Sequence, residues 1–231
     1  MKVLVINGSP KGDKSDTMHL TRAFIEGAGW TDVEILDISK LNIKSGCTGC
    51  YSCWTVTPGE CIFKDDMVDV LPKFRDAEIL IWSFPLYGNF FPGQMKCFMD
   101  RMIPLGTMTM KEDSATGDHP TRYEMKVQKA FYISGCGFWT TEHNYNTLNT
   151  YLRHGGGNPS EFTVFTSQAP LLNETESDPE LKEIVENYLD IVRKAGKEAA
   201  VGVISEETQT ALRQPFLPKE VYEAAVNAEA K

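Results

Sequence analysis

No apolar run in this 231-residue sequence reaches the roughly 18 residues that a membrane-spanning helix needs. A leader is also missing, because Met1 to Asn7 has the pattern of a strand and no basic stretch precedes an apolar one. These absences predict a cytoplasmic protein with no membrane partner. A reducing cytosol disfavours structural disulfides, so redox or metal-binding roles gain weight for the six cysteines.

Basic charge is scarce as well: 23 Lys and Arg face 32 Asp and Glu, which leaves a net charge of -9. Binding to nucleic acid needs a concentrated basic surface, so we expect no nucleic-acid partner. The four histidines form no pair at metal-ligand spacing, and no Ser-His-Asp arrangement is visible. The chain is nevertheless long enough to bury the core of one α/β domain.

Short apolar runs alternate with amphipathic segments along the chain, which is the pattern of buried parallel strands joined by helices. The predicted strands are Lys2–Asn7, Val33–Ile38, Glu78–Phe84, Val127–Ser134 and Phe162–Phe165. The predicted helices are Thr17–Gly29, a short one capped by Asp65 or Asp66 and running to Arg75, Gly93–Ile103, Thr140–His154 and Asp178–Lys197. Right-handed crossovers between such strands build a doubly wound parallel sheet.

Two segments fall outside this alternation. Residues 105–125 are polar and aperiodic, which predicts a long loop. From Ser205 onward, two short helical patterns carry apolar side chains that need burial against the core or a partner subunit: Leu212, Phe216, Leu217, Val221 and Tyr222. We therefore expect one cofactor-binding domain over 1–204 and a helical extension of the same domain over 205–231.

The loop after the first strand, Gly8 to Thr17, has the composition of a phosphate site. Its small residues let the backbone approach a phosphate, and the hydroxyls of Ser9, Ser15 and Thr17 can donate hydrogen bonds. The following helix adds the positive end of its dipole. The spacing fits neither Gly-x-Gly-x-x-Gly nor a Walker loop. An ordinary turn capped by Ser15 or Asp16 is the competing interpretation.

Two further loops follow central strands, so they lie at the same edge of the sheet. The loop from Pro85 to Gly93 offers an aromatic residue and glycines for contact with a flat ring, and Gly135 to Phe138 is a second small-residue loop. Core packing is the competing interpretation for Tyr87, Phe90 and Phe91. Cys136 is expected to pack as a small apolar side chain.

Four cysteines fall within residues 47–61 as Cys47-x2-Cys50-x2-Cys53, followed by Cys61. Thiols at this spacing can converge on one metal ion or cluster. The longer gap before Cys61 contains Pro58-Gly59, which predicts an ordered turn that brings the fourth thiol back. Cys97 falls on a predicted helix and is expected in the core.

Together these residues resemble the NAD(P)H-dependent FMN reductases and iron-sulfur flavoproteins of the flavodoxin superfamily. The resemblance rests on Gly8-Ser-Pro-Lys with Ser15-Asp-Thr17, the cysteine run ending in Asp65-Asp-Met67, Pro85-Leu-Tyr87, and Lys96 with Asp100-Arg101. It implies a flavodoxin-like doubly wound five-stranded parallel sheet of order 2-1-3-4-5, with helices on both faces and a C-terminal helical extension.

The resemblance also implies non-covalently bound FMN, held by residues of the three loops. These are Ser9, Lys11, Ser15, Asp16 and Thr17 near the phosphate, and Pro85, Leu86, Tyr87, Gly88, Asn89, Gly135, Cys136 and Gly137 around the ring. Asp16 stands where many relatives carry asparagine, and a carboxylate beside a phosphate is unfavourable unless it points away or caps the helix. Such relatives form dimers with the ring near the subunit boundary, so we expect a homodimer or a higher homo-oligomer.

In the iron-sulfur flavoproteins a compact four-cysteine motif holds a [4Fe–4S] cluster, and Cys47, Cys50, Cys53 and Cys61 match its positions. Three interpretations stay open: a cluster, reduced thiols that pack beside the flavin, and a structural zinc.

The implied function is an FMN-dependent oxidoreductase that takes hydride from NAD(P)H and reduces a quinone, a nitroaromatic or another flavin. Loop 105–125, with Arg122 and Lys126 as basic candidates, is expected to cover the acceptor site. The alternative is an electron carrier that couples FMN to a [4Fe–4S] cluster and a ferredoxin-like partner. A non-catalytic, zinc-stabilised binding module is the third hypothesis.

Overall fold

The computed structural model describes residues 1–115, 117–154, 157–175 and 178–229. Its centre is a five-stranded sheet with all strands parallel and the order β2-β1-β3-β4-β5. The strands are β1 (Val3–Asn7), β2 (Val33–Asp37), β3 (Ile79–Pro85), β4 (Lys129–Gly135) and β5 (Thr163–Thr166). The predicted sheet and its strand order are confirmed, and the strand bounds shift by at most two residues.

The helices among the described residues flank this sheet. They are α1 (Asp16–Ala28), α2 (Ser52–Thr55), α3 (Met67–Asp76), α4 (Gly93–Asp100), α5 (Asn146–His154), α6 (Pro179–Val201), α7 (Glu206–Leu212) and α8 (Lys219–Glu229). The predicted start of α5 at Thr140 is wrong: the preceding residues form turns, and His143 has a φ of 65°, which a right-handed helix does not allow. None of these helices combines the length and apolarity that crossing a membrane would require.

Alternate residues of the central strands face opposite helical layers. Val3 and Val5 of β1 pack in a core cluster with residues of α1 and α6. Leu4 and Ile6 pack in a second cluster with residues of α3 and α4. Both faces of β1 are therefore buried, which explains its continuous apolar sequence.

Helices α1 and α6 meet at backbone contact. A Cβ atom added to Gly27 would overlap the carbonyl of Arg193, and one added to Gly196 would overlap the carbonyl of Phe24. Only glycine at both positions permits this approach. The contact fixes α1, whose amino end stands beside the first loop, against the longest helix of the chain.

The C-terminal extension packs on the core of its own chain. Leu212, Phe216 and Tyr222 are buried, whereas Val221 stays exposed. Ser205 begins α7 by accepting a hydrogen bond from the Thr208 backbone N–H at 3.2 Å. Residues 230–231 of the expected extension lie outside the described residues.

Candidate functional site

The loops that follow β1, β3 and β4 meet at the carboxyl edge of the sheet. We call them together the flavin ledge (residues 8–17, 85–93 and 135–138), after the cofactor that the sequence resemblance implies. The backbone N–H of Leu86 donates to the carbonyl of Gly135 at 2.9 Å. The Gln94 side chain, at the start of α4, donates to the carbonyl of Gly8 at 3.0 Å. The three predicted loops thus form one connected surface, as the strand order requires.

The first loop of the ledge brings three hydroxyls to the amino end of α1. Ser9, Ser15 and Thr17 are all buried, and the hydroxyls of Ser15 and Thr17 lie 3.2 Å apart. Ser15 occupies the position before the helix, yet its side chain caps no backbone N–H. The first-turn N–H groups therefore have no side-chain cap and can receive an anion.

Two charged residues beside these hydroxyls neutralise each other. Lys11 Nζ lies 3.3 Å from Asp16 Oδ2. Asn173, from the loop after β5, donates to Asp16 and also to the carbonyl of Lys14. Sequence reasoning missed Asn173, because no local pattern relates it to a loop more than 150 residues away. The Asp16 carboxylate is thus tied to a cation and an amide.

The second loop makes a tight turn that presents one aromatic ring. Tyr87 and Phe90 exchange two backbone hydrogen bonds at 3.1 Å. Between them, Gly88 and Asn89 adopt φ of 57° and 60°, the left-handed pair that such a turn needs. Tyr87 is 52% exposed at the rim, whereas Phe91 is buried. Core packing therefore explains Phe91 but does not explain Tyr87.

The third loop is held by the C-terminal extension. The hydroxyl of Tyr222 donates to the carbonyl of Gly137 at 2.8 Å, and Gln168 bonds to both the N–H and the carbonyl of Leu217. Burial raises the pKa of the Cys136 thiol, so Cys136 is the small buried side chain that was expected. The extension thus helps to position part of the flavin ledge.

The four clustered cysteines line one small cavity, beside the ring of Phe63 and the guanidinium of Arg101. Helix α2 carries Cys53, and the Gly59 backbone N–H returns to the Cys53 carbonyl at 2.9 Å. This turn brings Cys61 back to the other thiols, as predicted. We call residues 45–66, which contain this cavity's thiols, the cysteine segment.

The electrostatics of the thiols reflect their proximity. Burial raises the pKa of Cys53, and the thiols of Cys61, Cys47 and Cys50 raise it further. The backbone N–H and hydroxyl of Ser52 lower the pKa of Cys50.

The spacing of the ligands bears on which metal they suit. Within the described ranges, no three His, Cys, Asp or Glu side chains are placed to hold a single metal ion. One zinc needs all four thiolates at about 2.3 Å from the same ion, whereas a cubane binds each thiolate at a different iron. The four thiols thus line one cavity, and the described residues show no group placed around a single ion.

Loop 105–125 lies against the cysteine segment. The ring of Trp54 contacts the ring of His119 at 4.8 Å, and its Nε1 donates to the carbonyl of Ile103 at 2.9 Å. Gly59 leaves no room for a Cβ beside the hydroxyl of Tyr123. The loop thus contacts the cysteine segment, and its role as a cover of the acceptor site stays a prediction; residue 116 lies outside the described part.

Two expectations are corrected. Lys126 pairs with Asp76 at 3.6 Å, just before β3 begins, and so lies at the edge opposite the flavin ledge. Cys97 is exposed, although we expected it in the core. Of the two residues expected to cap α3, Asp65 accepts from the Met67 N–H at 3.3 Å, whereas the side chain of Asp66 accepts from the Asn42 N–H at 2.8 Å.

A larger cavity than that of the thiols lies elsewhere. It measures about 620 Å³ and surrounds the first residues of β4, with Tyr132, Tyr151 and His154 in its wall. Lys129 in this wall already donates to the carbonyls that end α6. None of the predicted site residues lines this cavity. The candidate sites are instead an open ledge and a small thiol cavity.

A parallel sheet of order β2-β1-β3-β4-β5 with helices on both faces defines a doubly wound α/β protein. More particularly, the chain belongs to the flavodoxin-like fold family, whose model matches residues 1–194.

The chain is similar to an iron-sulfur flavoprotein of Archaeoglobus fulgidus, with 35% identity over 108 residues that cover 46% of this chain and 47% of the relative. It is also similar to an FMN-dependent NADH:quinone oxidoreductase of Exiguobacterium sp., with 25% identity over 166 residues, 66% of this chain and 75% of the relative. The match spans about half the length of the iron-sulfur flavoproteins.

Among solved structures, an FMN-dependent NADH-azoreductase from Bacillus anthracis in complex with FMN has a TM-score of 0.58 and 19% identity. The likeness covers 86% of this chain and 99% of the azoreductase. At this identity it supports the fold.

Proposed function

We propose that this chain is an FMN-dependent oxidoreductase that takes electrons from NAD(P)H and passes them to a small-molecule acceptor such as a quinone or a nitroaromatic. The observation that carries the proposal is the flavin ledge, whose first loop has three buried hydroxyls and ends at a helix amino end that the Ser15 side chain does not cap. The relatives named as an FMN-dependent NADH:quinone oxidoreductase and as iron-sulfur flavoproteins support it.

The residues of the ledge fit the parts of FMN. Ser9, Ser15 and Thr17 would donate to the phosphate together with the first-turn N–H groups of α1. The exposed ring of Tyr87 and the open space around Gly88 would border the flat ring system. When bound, FMN supplies the hydride acceptor, and the chain's residues supply binding and orientation. No catalytic histidine is required.

A second copy of the chain would complete the site. Tyr87 and Phe138 are 52% and 48% exposed at the rim of the ledge, with Trp139 beside them at 37%. Apolar exposure of this kind beside a ligand site is typical of a subunit boundary. A homodimer that covers these residues is therefore part of the proposal.

The test is FMN binding followed by turnover. Protein purified without oxygen is titrated with FMN, and oxidation of NADH and of NADPH is followed with benzoquinone as acceptor. We expect yellow protein and acceptor-dependent oxidation of one nucleotide. Protein that stays colourless after FMN is added would overturn the proposal.

A second candidate function is electron transfer between FMN and a [4Fe–4S] cluster, with a ferredoxin-like partner. The specific observation is that Cys47, Cys50, Cys53 and Cys61 line one cavity. Four thiolates are the ligand set that a cubane requires. Similarity to proteins named iron-sulfur flavoproteins supports this candidate.

Metal analysis separates the candidates. Protein that carries a cluster should contain about four irons per chain and absorb broadly beneath the flavin bands. Cys61→Ser should remove both signals and keep FMN. Cys97→Ser is the matched control, because Cys97 is an exposed thiol that does not line the cavity. Flavin without iron would support the FMN-dependent oxidoreductase alone and would mean that the thiols only pack. One zinc per chain would favour a structural metal.

A further inference from the structure

Arg101 is a buried cation at the wall of the cysteine cavity. Only 2% of the residue is exposed, and it follows directly on the last residue of α4. Its Nη1 and Nη2 donate to the two carboxylate oxygens of Asp65, both at 2.9 Å, and Nη1 also donates to the carbonyl of Ser45 at 2.8 Å. Both partners of this ion pair are buried, so the interaction is not a surface contact.

These contacts fasten both ends of the cysteine segment. Ser45 stands two residues before Cys47, and Asp65 stands four residues after Cys61. Asp65 also accepts from the backbone N–H groups of Lys44 and Met67. One guanidinium therefore joins the entry and the exit of the segment through Nη1 and Nη2 alone.

The third nitrogen of the guanidinium, Nε, takes no part in these contacts. Arg101 Nε is buried and has no hydrogen-bond partner among the described residues. Cys61 and Arg101 line the same small cavity, so the thiol of Cys61 is the acceptor group nearest in kind to this donor. A buried donor without an acceptor costs stability, so its presence needs a reason.

We propose that Arg101 Nε donates a hydrogen bond to the sulfur of Cys61 in the cluster-bound protein, and that Arg101 thereby sets the reduction potential of the cluster. The inference rests on the second proposed function. Hydrogen bonds to the sulfurs and nearby charge are among the factors that fix the potential of such clusters. A donor and a positive charge beside Cys61 stabilise the more negative, reduced state, so they raise the potential.

A purely structural role makes a different prediction. The fastening of the segment uses Nη1 and Nη2, so a structural arginine would affect folding and iron content but not the potential of a cluster once formed. The potential is therefore the readout that separates the two roles, and activity is not needed to measure it.

The two arginine variants are chosen to keep the buried charges balanced. Arg101→Lys keeps a cation opposite Asp65 but has no Nε–H. The double variant Asp65→Asn with Arg101→Met removes both charges together and so leaves neither charge unpaired. Asp65→Asn alone retains the Nε–H and serves as its matched control. Arg193→Gln removes a guanidinium that pairs with three carboxylates on α1 and α6, away from the cavity.

Redox titration of iron-loaded protein, followed by absorbance and by electron paramagnetic resonance, gives the cluster and FMN midpoints separately. We expect a more negative cluster midpoint in Arg101→Lys and in the double variant, with the FMN midpoint unchanged. Asp65→Asn alone and Arg193→Gln should show no negative shift.

Three results would overturn the inference, and they are distinguishable. An unchanged cluster midpoint in both arginine variants would refute the hydrogen bond and leave the cluster function intact. Folded arginine variants that bind no iron would assign Arg101 to construction of the segment. Wild-type protein without iron would refute the cluster function, and the inference with it.

Discussion

The flavin ledge and the cysteine segment lie in the same chain but are built in different ways. The ledge consists of loops that follow directly on β1, β3 and β4, so the sheet fixes where its backbone lies. The cysteine segment contains no strand and only the four-residue helix α2. Side chains hold it: the Arg101–Asp65 pair, the Trp54 hydrogen bond to Ile103, and the packing of loop 105–125.

This difference predicts how each region responds to mutation. Polar changes on the ledge should alter ligand affinity and leave folding intact, because the sheet positions the loops independently of their side chains. Changes to the side chains that hold the cysteine segment should alter folding itself, because no regular backbone remains to position it. The experiments below test this contrast, from the largest expected effect to the smallest.

Asp65→Ala should have the largest effect. It leaves the buried Arg101 charge without its carboxylate, which costs about 3–5 kcal/mol of unfolding free energy. Denaturant unfolding monitored by circular dichroism measures the loss. Asp76→Ala is the control: its pair with Arg75 is about one-third exposed, so it should cost less than about 1 kcal/mol. Equal losses in the two variants would contradict the contrast.

Ser15→Ala combined with Thr17→Val should weaken FMN binding about 10- to 100-fold, because two donors to a charged phosphate are lost. Unfolding of the FMN-free protein should change little, since the two hydroxyls bond to each other and are removed together. Fluorescence titration with FMN measures the affinity.

Thr21→Val is the matched control one turn further along α1. Its hydroxyl bonds to Ser83 and to the Thr17 carbonyl, away from the helix end. It should lower stability and leave FMN affinity unchanged. A tenfold loss of affinity in this control would place the binding effect in the helix as a whole and not in the two hydroxyls.

Glu198→Gln tests the support of the ledge by the extension. Burial raises the pKa of Glu198, but the Ser205 N–H and the hydroxyls of Thr208 and Ser205 outweigh it, so the pKa is lowered. Because its pKa is lower in the folded state, the Glu198 carboxylate contributes its full stabilisation above the unfolded value near 4.5. This stabilisation is lost as the pH falls further.

The unfolding free energy of wild-type protein should therefore exceed that of Glu198→Gln by about 1 kcal/mol at pH 7. This difference should shrink below pH 4.5. Urea midpoints of both proteins at pH 7 and pH 3.5 measure it. A difference that stays constant over this range would show that the carboxylate does not carry the effect.

Asp16→Asn should have the smallest effect, and it should raise FMN affinity, whereas the Ser15 and Thr17 changes lower it. Removing a carboxylate beside the phosphate loop also releases Lys11, so FMN should bind about 2- to 5-fold more tightly. The same titration measures the gain. Weaker binding would mean that Asp16 is needed to position Lys11.

The sequence predicted the ledge better than the cysteine segment, for the same physical reason. Apolar runs indicate strands, and strand order then indicates which loops meet. No local pattern indicated that Arg101 pairs with Asp65, 36 positions away in the chain, or that loop 105–125 packs on Trp54. Helix α2 was missed because four residues show no periodicity.

Two errors have local causes. At the expected start of α5, the Thr140 hydroxyl accepts from the Glu142 N–H at 3.1 Å, a turn that competes with helix formation. In α4, Met95 and Phe98 share the buried face, being three residues apart, and Cys97 falls outside it. The helical period could have placed Cys97 on the surface.

The close crossing of α1 and α6 limits which substitutions the chain can accept. At Gly27 and at Gly196 any other residue meets backbone atoms of the opposite helix, and backbone, unlike a side chain, cannot turn aside. A larger residue at either glycine would therefore clash with the opposite helix. A second substitution at the other glycine would not relieve that clash. A variant library built on this chain should keep both glycines and vary the residues of the flavin ledge.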